Sequence, residues 1–188
     1  MAKITLVPFG EANPTILNRR VEHVKQFAEL LRSSGHDVEF YLVGTNKEVA
    51  SLENAFSGSA AKIRSNGGSI NTIDNVKKVL DEFGTKGDAG KVVMVTGDFE
   101  YPRADYYFRR MKREKGMQAR HILLRATTDE GQGRLRSALS WAITAFKAVQ
   151  LKVYMNRKDI FDKAQNRVLD KKAKLYGAEG NAYENNDN

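Results

Sequence analysis

Apolar residues along this chain follow two alternating rules. In short runs they crowd together, at residues 4–7 (ITLV), 38–43 (VEFYLV), 92–96 (VVMVT) and 121–124 (HILL). Each run is too short for a free helix. The β-branched content of 92–96 marks it as a strand buried on both faces, the pattern of a parallel sheet. Residues 61–64 (AKIR) make a weaker third strand. Between the runs, apolar residues return every three or four positions, as on one face of a helix. Ile16, Leu17, Val21, Val24, Ala28 and Leu31 mark the first helix, which Gly35 stops in the left-handed region. Thr45 and Glu48 form a capping box ahead of Val49, Leu52 and Phe56. Ile73, Val76, Leu80 and Phe83 mark the next helix, with Asn71 or Thr72 as its cap. Pro102 opens another, in which Ala104, Tyr107, Phe108 and Met111 face inward.

Strand and helix in alternation predict an α/β fold, a three-layer sandwich around about five mostly parallel strands. C-terminal helices follow, marked by Leu135, Leu139, Ala142, Phe146, Val149 and Val153, then by Ile160, Phe161, Ala164, Val168 and Leu175. The expected organisation is one domain over residues 1–176, with 151–176 as a helical extension and 177–188 as a polar, disordered tail.

In an open sheet of this kind ligands bind beyond the carboxyl ends of the strands. Three polar segments belong there. Residues 8–15 (PFGEANPT) carry Gly10 and Glu11, and the helix after them opens with Arg19 and Arg20, one of which points to the cleft. Residues 65–75 (SNGGSINTIDN) bring Ser69, Asn71, Thr72 and Asn75 to a helix N-terminus, where amides and hydroxyls suit a phosphate or carboxylate. Plain helix capping explains Asn71 and Thr72 equally well. Residues 97–103 (GDFEYPR) gather Asp98, Glu100 and Arg103 at the end of the central strand. Asp98 suits a metal, a ribose hydroxyl, a guanidinium or a turn-forming bond to the backbone. Glu100 is a general base if buried and a solvated glutamate if not. Arg103 stands against its helix dipole, which favours an anion beside it.

Composition narrows the classes. The 188 residues contain no cysteine, which excludes disulfides, thiolate metal sites and a cysteine nucleophile. His23, His36 and His121 are scattered without metal spacing, and neither a G-x-S-x-G elbow nor a G-x-G-x-x-G fingerprint is present. No apolar run is long enough to span a bilayer, and the N-terminus reads as a strand rather than a signal peptide, so a cytoplasmic protein is expected. The net charge is +8, and Glu179, Glu184 and Asp187 sit in a tail without Lys or Arg, so the rest is more basic still. That favours an anionic partner. Arg109, Arg110, Lys112, Arg113 and Lys115 near Tyr106 and Tyr107 suit a nucleic-acid backbone, or a solvated helix end. The apolar stripe over 157–174 suits core or a dimer seam, hence a homo-oligomer.

Two spaced motifs carry a family resemblance. Ser69, Asn71, Thr72 and Asn75, followed by Val95, Thr96, Asp98, Phe99, Arg103 and Ala104, resemble the SanA/ElyC/YdcF-like family. Arg19–Arg20 and Gly44 fit its other landmarks, and the likeness covers roughly residues 3–150. The resemblance implies a Rossmann-like sheet and, from one branch of the family, S-adenosylmethionine as ligand. Glu100 stands where the family has His, and residues 66–68 stand where it tends to have Glu, so binding carries over more readily than catalysis. The expected function is binding of a small anionic, nucleotide-like ligand at the strand ends by Gly10, Glu11, Arg20, Gly44, Ser69, Asn71, Thr72, Asn75, Thr96, Phe99 and Arg103. Two alternatives stand beside it. One is a hydrolase or transferase acting on a phosphorylated substrate, with Asp98 and Glu100 catalytic. The other is a basic nucleic-acid-binding protein on the same scaffold.

Overall fold

The computed structural model describes residues 1–127, apart from 12, 86–89, 99 and 118. The C-terminal helices and tail expected from the sequence lie outside the described residues. Within them the chain alternates without exception: β1 (Lys3–Pro8), α1 (Pro14–Ser33), β2 (Asp37–Val43), α2 (Asn46–Phe56), β3 (Lys62–Asn66), α3 (Thr72–Phe83), β4 (Lys91–Gly97), α4 (Tyr101–Glu114) and β5 (Ile122–Thr127). The strands form one five-stranded sheet in the order β3-β2-β1-β4-β5, and every neighbouring pair is parallel. This is a Rossmann-like α/β arrangement. Where the sequence suggests mostly parallel strands, all five are.

Side-chain alternation divides the core in two. Ile4, Leu6, Val38, Phe40, Leu42, Val93 and Val95 pack with Leu17, Val21, Val24 and Ala28 of α1 and with Leu52 and Phe56 of α2. Val7, Tyr41, Val43, Val92, Met94 and Ile122 pack on the opposite face with α3 and α4. Because both faces of β1, β2 and β4 are covered, their sequences read as near-continuous apolar runs.

Local signals set most element ends. Thr45 and Glu48 complete both halves of the capping box at α2. Asn71 caps α3 by accepting from Asp74 N at 3.0 Å. Gly35 leaves α1 at φ +81, where only glycine is unstrained. The third strand is longer than its composition suggests, running Lys62–Asn66, because pairing with β2 supplies the hydrogen bonds that its apolar content does not signal. Among the described residues no helix is long and apolar enough to cross a membrane.

One polar cluster is built into the sheet. Glu39 is buried and accepts from Thr5 Oγ1 at 2.8 Å, with Lys3 Nζ at 3.1 Å and Arg64 Nη2 at 2.9 Å. Arg64 also reaches Glu82 at 3.2 Å and lies over the rings of Tyr41 and Phe83. Burial alone would raise the Glu39 carboxyl, but bonds from Thr5, Lys3 and Arg64 hold it below its usual 4.5. A depressed carboxyl contributes stability that is present above its unfolded value and lost as pH falls through the folded one. Thermal midpoints should therefore drop as pH falls below about 4.5. Glu39→Gln should flatten that drop, and an unchanged profile in the variant would remove Glu39 as its source.

Candidate functional site at the strand-order switch

The strand order reverses between β1 and β4, since β1 leads to β2 on one side and α3 returns the chain to β4 on the other. Loops after such a pair of strands diverge and leave a crevice at the carboxyl edge. The loop after β1 begins tightly bound, with Phe9 N donating to Val95 O and Gly10 N to Val43 O, both at 2.9 Å. It therefore reaches across both neighbouring strands before entering α1. Asn13 caps that helix, accepting from Thr15 N at 3.0 Å and Ile16 N at 3.4 Å. Glu11 in turn accepts from Asn13 N at 3.0 Å.

Arg20 comes up from α1 beneath this loop and is fully buried. Its Nη1 donates to Phe9 O at 2.9 Å and Gly10 O at 3.3 Å. Its Nη2 lies 3.8 Å from Glu11 Oε2 and 3.7 Å from Glu100 Oε2. One guanidinium thus joins the loops after β1 and β4. Glu100 also accepts from Thr96 Oγ1 at 3.2 Å and from Arg103 Nη2 at 3.4 Å. The α4 N-terminus carries Glu100 at its cap position with no side-chain capping bond.

Among the described residues, Glu11 has the carboxylates of Glu100 and Glu48 and the guanidinium of Arg20 as its charged neighbours. The Glu11 carboxyl is raised above its usual range, first by burial and then by the nearby charge of Glu100, against weaker opposing pulls from Asn13 N and Arg20. Behind Arg103, burial pushes the Tyr107 phenol up to about 12, so it stays neutral.

A second polar group sits at the ends of β2 and β3. Ser69 N donates to Gly44 O at 2.9 Å, Lys78 Nζ donates to the carbonyls of Asn66 and Gly67, and Ile70 N donates to Asp74 Oδ2 at 3.2 Å. Ser69 Oγ and Asn75 Oδ1 are buried and have no hydrogen-bond partner among the described residues. The first crevice and this turn share the carboxyl edge. They are centred on the β1/β4 and β2/β3 pairs, two strand spacings apart, which is about 10 Å.

Several expected ligand contacts differ in the structure. Arg20, Ser69, Asn75 and Thr96 are buried beneath the edge, so they support it and present no open surface to a ligand. Arg20 in particular is no open anion clamp, because its guanidinium is spent on Phe9 O, Gly10 O, Glu11 and Glu100. Gly10 and Gly44 are small for packing: a Cβ on Gly10 would meet Glu48 Cβ at 2.6 Å, and one on Gly44 would meet Glu48 Oε2 at 2.9 Å. Asn71 is a helix cap, and Thr72, the first residue of α3, is half-buried. Glu11, Asp98, Glu100 and Arg103 are half-buried, and Asp98 N donates to Thr127 O on the β5 side. Phe99 lies outside the described residues.

The sequence missed the part of Phe9, whose carbonyl anchors Arg20 while its ring fills the core between α3 and α4. It also missed the joining of Glu11 to Glu100. The available signal was Arg20 three positions after Leu17 and four before Val24, on the buried face of α1, while Arg19 is exposed. Four of the five basic residues at this helix end have partners: Arg109 with Asp105 at 2.9 Å, Arg110 with Glu114, Lys115 with Asp81 of α3, and Lys112 over Phe108. That pairing lessens the case for a nucleic-acid surface there.

No family model matches the chain, and no curated protein is significantly similar to it. Among solved structures, a mutant short-chain dehydrogenase/reductase from Serratia marcescens is similar, at 16% identity and a TM-score of 0.36. The match covers 83% of this chain and 68% of that one. The Rossmann-like assignment rests on the strand order, not on that likeness.

Proposed function

We propose that this chain is a small-molecule-binding domain of the SanA/ElyC/YdcF-like type, with its ligand in the crevice between the loops after β1 and β4. One observation carries the reading: Glu11 and Glu100, from different loops, converge on the same buried guanidinium at the strand-order switch. Half-buried carboxylates there are acceptors for ribose hydroxyls, and Arg103 beside them suits a ligand carboxylate. A nucleoside with an attached amino acid has both groups, and S-adenosylmethionine is the candidate that the family resemblance supplies. The expected anionic character of the ligand is thereby confined to the Arg103 side.

At about one hundred times its dissociation constant, S-adenosylmethionine should add about 2.7 kcal/mol of stability by mass action. A scanning thermal denaturation would read that as a rise of several degrees. Glu100→Gln should keep the fold and lose most of the rise. If S-adenosylmethionine, S-adenosylhomocysteine, AMP and ADP all leave the wild-type midpoint in place, the crevice is not a nucleoside site.

A hydrolase or transferase remains the second reading because one observation favours it. Glu11 is raised by burial and by Glu100, the arrangement that separates an acid from a base. Glu11 would then donate a proton beside Glu100, which Arg103 and Thr96 hold in place. The same carboxylates weigh against a phosphorylated substrate at that point. Turnover abolished by Glu11→Gln with binding retained would decide for this reading.

A further inference from the structure

We propose that the face of β5 turned toward α1 is a docking surface for residues 135–153 of this same chain, whose apolar stripe seats in the groove between β5 and α1. The surface lies on the broad side of the sheet, away from the carboxyl-edge crevice, and is independent of the ligand reading.

Alternation along β5 sends Ile122 and Leu124 into the layer of α4 and puts Leu123 and Arg125 on the opposite side. There Leu123 stands beside Val93 of β4 in the parallel register. Val93 is 5% exposed and Leu123 is 48% exposed, so among the described residues the cover over this face ends between β4 and β5. α1 supplies that cover, and it reaches β5 through Phe27, whose ring centroid lies 5.1 Å from the Arg125 guanidinium carbon. Ile16, His23, Phe27 and Leu30 share this flank of α1, at spacings of seven, four and three residues. Leu30 is 63% exposed and the other three are half-buried. One wall of a groove is thus the α1 flank, and its floor is Leu123 with the outer edge of Val93.

The sequence beyond β5 has the shape that fills it. The chain leaves β5 at Thr127, on the carboxyl edge, so a segment that turns back from there runs alongside α1 and in its direction. Leu135, Leu139, Ala142, Phe146, Val149 and Val153 repeat at four and three residues in turn, with Ser137, Ser140 and Thr144 on the other side of that helical period. At 1.5 Å per residue the stretch is about 28 Å long, the match of the 20-residue α1. α4 already covers the other face of β5, which leaves the groove as the apolar surface that the returning segment meets. A second copy of the chain would set one groove against another, whereas a helical stripe is convex and fits between α1 and β5.

Because the chain has no cysteine, introduced thiols are the only ones present. The test pairs Leu123→Cys, in the full chain, with a single cysteine at Leu135, Leu139, Ala142 or Phe146, and with Thr144→Cys as the control. A disulfide needs Cα atoms within about 7 Å, so mild oxidation should link at least one stripe position to residue 123 within the same chain, read by peptide mass mapping, and should not link Thr144→Cys. Leu123→Thr keeps strand propensity and should lower the thermal midpoint by about 4 °C or more, where a leucine that stays in water would shift it by about 2 °C at most. Absence of a within-chain link at all four stripe positions overturns the proposal, as does a link at Thr144→Cys as ready as those on the stripe. Covalent dimers from Leu123→Cys alone would give the groove to a second copy instead, and an unchanged midpoint in Leu123→Thr would leave it in water.

Discussion

Arg20→Met is expected to destabilise the protein by about 3 kcal/mol, the low end for removing one partner from a buried ion cluster. Methionine fills much of the same space, so a cavity is not the main cause. The loss comes from what stays behind. Phe9 O and Gly10 O each lose a charged donor, worth about 1 kcal/mol or more apiece. Glu11 and Glu100 lose the positive charge between them, although each keeps some contact with water, at 17% and 18% exposure. That residual hydration is why the low end is chosen. Urea unfolding should show a lower midpoint with an unchanged slope. The pH dependence also has a definite sign. The Glu11 carboxyl is already raised by burial and Glu100 against the pull of Arg20, so removing Arg20 raises it further, and the stability it contributes is lost as pH rises through its folded value. The defect should therefore be smaller near pH 4 than near pH 7. A loss under about 1 kcal/mol, or one independent of pH, would mean that water replaces the guanidinium at no cost.

The sheet was legible in the sequence because both faces of its central strands are covered. Val92, Val93, Met94 and Val95 form an apolar run only because α1 lies on one side and α3 and α4 on the other. The caps were legible for a different reason. The Thr45–Glu48 box and the Asn71 cap are local bonds across three residues, and their chemistry needs no knowledge of the rest of the fold. Strand order was not legible in this way. Nothing in residues 62–66 tells that β3 pairs with β2 and lies at one sheet edge, because that follows from the handedness of each crossover.

The site divides along the same line. Its position at the carboxyl ends of the strands followed from the βα alternation, and Glu11, Glu100 and Arg103 could be picked out as polar residues of short loops. Their partners could not. Arg20 meets Glu100 across eighty positions of chain, and its role depends on being under the loop rather than in the open crevice. From sequence a buried arginine and an anion-binding arginine look alike, since both need negative or carbonyl oxygen nearby. Only the register of α1 against β1 separates them. The glycines show the reverse error. Gly10 and Gly44 resemble ligand-approach glycines, but the close neighbour of each is Glu48, the residue that completes the α2 cap. A tight turn and an intramolecular contact impose the same residue.

Phe9→Ala is the other substitution with a large expected effect, about 3–5 kcal/mol, the usual cost of emptying an aromatic side chain from a packed core. Phe9 is 1% exposed at the end of β1 and belongs to the same apolar cluster as Val43, Ile73 and Ala104. Its ring therefore lies where the first turns of α3 and α4 approach the sheet. Its backbone does separate work: Phe9 N is tied to Val95 O, and Phe9 O receives Arg20. Alanine leaves those backbone groups present but removes the ring that holds the loop down, so the expected consequence is twofold. Stability falls, and the loop carrying Glu11 loses its fixed position over Arg20, which weakens ligand binding at a residue that meets no ligand. Phe9→Leu separates the two effects, since it keeps most of the volume and should cost less than about 1.5 kcal/mol. Unfolding midpoints and calorimetric binding on both variants give the comparison. If Phe9→Ala is destabilised as expected yet binds as tightly as the wild type under conditions where it remains folded, then Arg20 alone positions Glu11, and the ring contributes only to the core.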